Sequence, residues 1–380
     1  LDIKDLIDPG AWPVERRESL SAADLWASHA RTVFAAPGLT DAPSFYPVYR
    51  MGELYCHSPL GLVAHAGNVE LDGDVMVRLG RGERRYWSGP DTLDRRMRRV
   101  GAPRISARTL RDRGEFIDRL ADALRTDVAA REARHAGCTN AILCGGRDSL
   151  NLLLLPWKNP VLVLSAAANF PLVRRFIADN ALPMTVHELK DEDRSLLDAE
   201  VLANLCRLDL QHCRWSGELR AIAREHRGRI LFWKGQLGDS LLTAKWRVYT
   251  HPAKARRLVR LPLLRALTSS ALFQGYFWWS QHNRGGMWQG THMSLLRDLT
   301  GALVLSSYHG PAVSDLLAEV DLAATHTEDL RPLLGARLAS APVKYPSINP
   351  GPPVTPFRAG LSCVERFVEV ATRVGLAVRR

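Results

Sequence analysis

At 380 residues, with 46% hydrophobic and 24% charged content, the chain has the size and composition of a globular protein of one large domain or two ordinary ones. No apolar run approaches the roughly 20 residues of a membrane-spanning helix, and no charged-then-apolar leader opens the chain, so a cytoplasmic protein without a membrane partner is expected; Leu1 in place of Met leaves room for a trimmed start. The formal net charge of +11 would attract polyanions, but of 51 Lys+Arg only seven are lysines and the arginines are spread along the chain, which makes nucleic acid the minor expectation.

Residues 1–100 are rich in Pro and Gly and carry short β-like runs: SFYPVYR, GELYCHS, GLVAHAG, VMVRLG and RRYWSG. Turn signals such as LDGD (71–74) and GRGE (80–83) separate some of them, predicting a small β-rich module of hairpins. Within it, LSAADLWASHARTVF (20–34) reads as a helix capped by Ser19 or Ser21. A basic connector over about 90–113, densest at RRMRRV (95–100), leads to Arg113–Arg134. There Phe116, Ile117, Leu120, Leu124, Val128 and Ala129 recur at helical spacing, so the stripe should pack on the sheet that follows.

Residues 141–155 read AILCGGRDSLNLLLL: an apolar run, two glycines, a polar tripeptide and a leucine-rich run. That is a buried strand, a tight loop and a helix start. Gly145 and Gly146 can take backbone angles that let successive N–H groups converge, and Asp148 or Ser149 can cap the helix. Such a loop suits an anion, and phosphate is its usual guest; the plainer alternative is a strand–loop–helix turn in an α/β core.

The alternation continues with a strand at VLVLS (161–165), a helix over 170–180, a strand at MTVHEL (184–189), helices over 196–210 and 218–226, and a strand at RILFW (229–233) that ends in KGQLGDS. These predict an α/β fold, a parallel sheet with helices on both faces and ligands at the carboxyl ends of its strands. Beyond 240 the chain reads as mainly helical, over 258–276, 293–305, 313–324 and 361–374, with a Pro-rich loop at 345–356. Trp278, Trp279, His282, Trp288 and His292 read first as core aromatics and second as a pocket for a bulky substrate. The six cysteines are too sparse for a disulfide framework, and Cys206, His212 and Cys213 lack a second ligand pair at zinc spacing.

The string CGGRDS (144–149) differs at one position from SGGxDS, the pyrophosphate loop of the PP-loop ATP pyrophosphatases. Further strings fall in the order of the asparagine synthetase family. Arg85-Tyr86-Trp87 resembles its linker, Leu120–Arg131 its LxxALxxxVxxR helix, and VLVLS its adenine-holding strand. KGQLGDS (234–240) stands where that family has GEGxDE, and LTGALVLSSYHGPAVSDLLAEV (299–320) and the stretch 329–338 are similar to its PFLD-like and LR-containing segments. The resemblance covers about 85–380 and implies a PP-loop (adenine nucleotide alpha hydrolase-like) domain over 105–380. Residues 1–100 would then be the remnant of an amidotransferase-like domain that no longer releases ammonia from glutamine, since Leu1 comes first and Cys56 is internal.

The resemblance implies an ATP-dependent ligase that adenylates a carboxylate, releases pyrophosphate and couples the acyl group to an amine, in natural-product or modified-peptide biosynthesis. It further implies that Cys144, Gly145, Gly146, Arg147 and Ser149 cradle phosphate, with Gly235 and Gly238 in the second loop and Ser165 on the adenine strand. Asp148 and Asp239 would hold Mg²⁺, and Lys344, with Lys234 as rival, would steady the pyrophosphate. Cys144, Gln236, Leu237 and Ser240 depart from the family pattern, and loss of the glutamate at 236 points away from an aspartate-like substrate. The partners so implied are ATP, Mg²⁺, a carboxylate and an amine donor, with a peptide among the candidates. The alternatives are a PP-loop enzyme acting on tRNA and a degenerate synthetase that serves as a binding partner.

Overall fold

The computed structural model describes residues 15–16, 48–56, 58–71, 97–100, 109–166, 169–190, 215–236, 238–243, 291–348 and 361–379. The predicted helices over 20–34, 196–210 and 258–276, the Arg85-Tyr86-Trp87 string, Cys206, His212, Cys213 and the tryptophans at 278, 279 and 288 lie outside them.

The amino-terminal part contains β1 (Glu15–Arg16), β2 (Val48–Met51), β3 (Leu54–Cys56), α1 (Pro59–Ala66), β4 (Asn68–Glu70) and β5 (Met97–Val100). β1, β3, β2 and β5 form an antiparallel sheet in that order, with the tight turn between β2 and β3 made at Gly52. The run GLVAHAG is not a strand but most of α1. Ser58 accepts the Gly61 N–H as an N-cap, Pro59 fixes the first helical φ, and Gly67 closes the helix in the left-handed region at φ 69°. These end signals outweigh the β-like composition.

The central sheet is wholly parallel. Its strands are β6 (Thr139–Leu143), β7 (Val161–Ala166), β8 (Val186–Leu189), β9 (Ile230–Lys234) and β10 (Leu303–Ser306), in spatial order β10-β9-β6-β7-β8. Before β6 runs α2 (Arg113–Arg134), capped by Asp112, which accepts the Glu115 N–H at 2.7 Å. After β6 come α3 (Arg147–Leu150) and a 3₁₀ turn over Asn151–Leu154, and after β7 comes α4 (Phe170–Asp179). Then follow α5 (Ser216–Glu225), α6 (Gly238–Leu241), α7 (Thr291–Thr300), α8 (Pro311–Glu319), α9 (Leu322–Thr325), α10 (Arg331–Ala339) and α11 (Leu361–Arg373). The last strand, β11 (Ala377–Arg379), pairs in parallel with β4, near the other end of the sequence.

Two cores flank the sheet, as period-two alternation along its strands requires. Ile142, Val163, Leu231, Trp233 and Leu305 face α2, α8 and α10, burying Phe116, Leu120, Leu124 and Val128. Ala141, Leu164, Phe232 and Val304 face α5, α7 and α11, and Tyr49, Tyr55, Leu60 and Val69 join that same core. The helix predicted over 293–305 ends at Thr300. Gly301, at φ 68°, donates its N–H to the Arg297 carbonyl and turns the chain into β10. The helix predicted over 313–324 is two pieces, because Val320 bridges to Leu110 and the Asp321 N–H goes to the Leu110 carbonyl. No helix among the described residues is long and apolar enough to cross a membrane.

Candidate functional site

From β6 the chain adds β7 and β8 on one side, then returns to add β9 and β10 on the other. Neighbours β6 and β9 therefore flank the point where strand order reverses, and in open parallel sheets the crevice beyond the carboxyl ends at such a point is where ligands bind. The CGGRDS loop leaves β6 there and the KGQLGDS loop leaves β9 beside it.

The first loop is held by its own backbone. The Cys144 N–H donates to the Leu164 carbonyl at 2.7 Å, extending the ladder one residue past β6. Gly146 takes φ 141°, a conformation that side chains disfavour, and both the N–H and the hydroxyl of Ser149 donate to its carbonyl, at 3.2 and 2.9 Å. The sequence suggested Asp148 or Ser149 as the cap of α3, but neither side chain caps it. The helix is a single turn with no side-chain cap, so a helix dipole adds little here. Gly145 lies exposed, outside the positive-φ region, and a Cβ on it would meet no atom within 4 Å.

The second loop presses directly on the first. A Cβ on Gly235 would lie 2.5 Å from Ser149 Cα and 2.7 Å from the Asp148 carbonyl oxygen, and one on Gly238 would lie 2.8 Å from Asp148 Cβ. Only glycine permits this approach. The Ser306 hydroxyl, at the end of β10, donates to the Gln236 carbonyl at 3.2 Å, and the Leu330 N–H donates to the Leu242 carbonyl at 2.7 Å. Buried His326 bonds through Nε2 to the Leu241 carbonyl and through Nδ1 to Thr325, bracing the far end of α6. Asp239 follows Gly238 in α6, so its backbone adjoins Asp148; Asp239 and Ser240 side chains and residue Leu237 lie outside the described residues.

Four charged side chains meet beside these loops. Arg331, at the start of α10, donates from Nη1 to Asp148 Oδ1 at 2.7 Å and from Nε and Nη2 to the two oxygens of Asp329 at 2.8 Å each. Arg147 Nη2 donates to Asp329 Oδ2 at 2.7 Å, with its guanidinium over the Tyr345 ring, so it turns inward rather than to solvent. Burial raises the Asp329 carboxyl, but hydrogen bonds and charge from Arg331, with Arg147 adding to them, bring it below the usual carboxylate value. Burial works against the Arg331 cation, and the two aspartates more than offset it. The Tyr308 hydroxyl donates to the Asp148 carbonyl at 3.1 Å and the Tyr345 hydroxyl to the Arg147 carbonyl at 2.5 Å; burial holds both phenols protonated, well above their ordinary range.

Ser165 is buried beside this loop and donates from its hydroxyl to the Cys144 carbonyl at 2.8 Å. Cys144 is also buried, and burial pushes its thiol up to about 12, so it is no nucleophile. Lys234 ends β9, half-buried. Lys344 sits apart: its backbone pairs both ways with the Asn180 side chain at the carboxyl end of α4, toward the amino ends of the strands, and its side chain is exposed. The neighbouring Tyr345 is the residue that reaches the loop. Sequence reasoning missed Arg331, Asp329, Tyr308 and Tyr345 as site residues; the available signal was that Asp329 and Arg331 open the stretch similar to the LR-containing segment. Among the described residues no group of three or more His, Cys, Asp or Glu is placed to hold a metal ion. No family model matches the chain, and no curated protein matches it.

Proposed function

We propose that the protein binds ATP with Mg²⁺ at the crevice between β6 and β9 and uses it to join a carboxylate to an amine. The observation that carries this reading is the meeting of two glycine loops at the sheet's reversal point, where close approach of Gly235 and Gly238 to residues 148–149 brings Asp148 and the backbone of Asp239 to one place. The resemblance of CGGRDS to the PP-loop string supports a triphosphate as the occupant.

In the reaction, a carboxylate oxygen attacks the α-phosphorus of ATP and the bond to pyrophosphate breaks. The amine nitrogen then attacks the acyl carbon, AMP leaves, and the amine gives up a proton. Charge builds on the departing pyrophosphate, so donors fixed in advance near Gly145 and Gly146 stabilise the step most. Mg²⁺ is commonly bound through one or two carboxylates together with phosphate oxygens; Asp148, with Asp239 as the second acid, would hold it, and it would neutralise that charge. Ser165 shapes the β7 side of the crevice by holding the Cys144 carbonyl. Arg147 and Arg331 supply fixed cations beside the loop.

A second reading, a synthetase relative that has lost catalysis and serves as a binding partner, is favoured by one observation: Asp148 is already paired with Arg331. One experiment separates them. Titration with ATP in the presence and absence of Mg²⁺ is followed by assay of AMP and pyrophosphate with a panel of peptide carboxylates and amines. Mg²⁺-dependent affinity, with AMP formation lost in Asp148→Ala, supports the enzyme. Affinity indifferent to Mg²⁺, with no AMP from any pair, supports the binding partner.

A further inference from the structure

We infer that Arg331 is a stand-in cation on Asp148 that makes divalent-metal binding conditional on the nucleotide's phosphates. The inference rests on the nucleotide-site reading above and concerns how that site is loaded.

Arg331 is moored unequally by its two acids. Asp329 takes its Nε and Nη2 at 2.8 Å each, in the two-pronged geometry that suits a guanidinium, and also accepts the Arg331 backbone N–H at 3.1 Å. Asp148 takes Nη1 alone, at 2.7 Å. The guanidinium can therefore give up Asp148 and still be held in place by Asp329. The Arg331 side chain is 11% exposed while those of Asp148 and Asp329 are 32% exposed, so the acids are the more solvent-accessible members of the cluster and the cation the more covered one.

Charge sets the order of events. Arg147, Arg331, Asp148 and Asp329 carry two positive and two negative charges. A divalent cation that approaches Asp148 alone meets a fixed guanidinium at hydrogen-bond distance of the same carboxylate. Repulsion there opposes the bond that the metal would form. A triphosphate changes the balance, because its oxygens ligate the metal and accept from the Nη1 that leaves Asp148. Metal and nucleotide then favour each other's binding, and by linkage the coupling is reciprocal. Arginine serves this role where lysine would serve it less well, since a single ammonium cannot span Asp329 and Asp148 in one plane.

The test uses the full chain, with Mn²⁺ as a magnetic probe for the metal and, as nucleotide, an ATP analogue with a methylene bridge between its α and β phosphorus atoms. Wild-type protein is expected to bind Mn²⁺ alone weakly, and Arg331→Met to bind it alone at least about tenfold more tightly, the scale of an ordinary coupling between sites. Asp148→Asn added to Arg331→Met should remove that gain. Arg331→Lys keeps the charge but cannot hold both acids at once, so its Mn²⁺ affinity should fall between those of wild type and Arg331→Met, a partial rescue that a merely structural role would not produce. If Arg331→Met fails to fold, the wild-type protein still decides: tight Mn²⁺ binding without nucleotide overturns the inference. Equal Mn²⁺ affinity in wild type and Arg331→Met also overturns it, while analogue binding then leaves the nucleotide site standing. Failure of the analogue to bind with Mn²⁺ or Mg²⁺ overturns both.

Discussion

A Cβ built on Gly235 would stand 2.5 Å from Cα of Ser149, closer than real side chains come to another backbone. The contact joins the loops that follow β6 and β9, and no flexible side-chain tip is available to move aside. Gly235→Ala must therefore push the loops apart. The expected cost is that of overpacking, about 1–3 kcal/mol, read as a lower urea midpoint. Nucleotide affinity should fall with it. An alanine variant with wild-type stability would show that the loops are not in contact.

Asp329 gives the protein a signature in acid. Its carboxyl is held below the ordinary value because the hydrogen bonds and charges of Arg331 and Arg147 outweigh burial. A carboxylate depressed in this way stabilises the fold fully above its unfolded value of about 3.9 and loses that contribution as pH falls through the lower folded value. The melting-temperature gap between wild type and Asp329→Asn should be steady from neutrality down to about pH 5 and should narrow below about pH 4. A gap that widens in acid would reverse the assigned sign.

Cys144 stands where the resembling loops carry serine, and it is buried with its thiol pushed up to about 12. At pH 8 it is a neutral thiol shut away from solvent. Iodoacetamide applied to the folded protein should leave Cys144 unlabelled, and labelling should appear once the chain is unfolded in guanidinium. Peptide mass spectrometry reads both states. Rapid labelling in the folded state would mean that the loop opens.

Much of the central sheet could be read from the sequence because VLVLS and RILFW are short apolar runs bounded by Gly, Pro or Asn, which is how strands buried on both faces look. The segment that became β10 was obscured by apolar residues that keep helical spacing through the end of α7, and only Gly301 marks the change. The GLVAHAG run misled in the opposite direction, since its β-like composition hid the capping signals of Ser58, Pro59 and Gly67. Gly145 and Gly146 looked equivalent in the string, yet only Gly146 adopts a backbone conformation that calls for glycine. Beyond its place in the stretch similar to the LR-containing segment, nothing in the string tied Arg331 to the loop, because Asp148 is 183 residues away and an ion pair imposes no periodicity on either segment.

Gly145 is the position that reports on whether these loops enclose a triphosphate. The fold makes no demand for glycine there: its φ is not positive and a Cβ would meet nothing within 4 Å. Any need for glycine at that position belongs to a ligand that comes close to the backbone. The measurement is the affinity of Gly145→Val for ATP with Mg²⁺, taken together with its melting temperature. An unchanged melt together with a loss of nucleotide binding is expected. A folded Gly145→Val protein that binds ATP as the wild type does would contradict it.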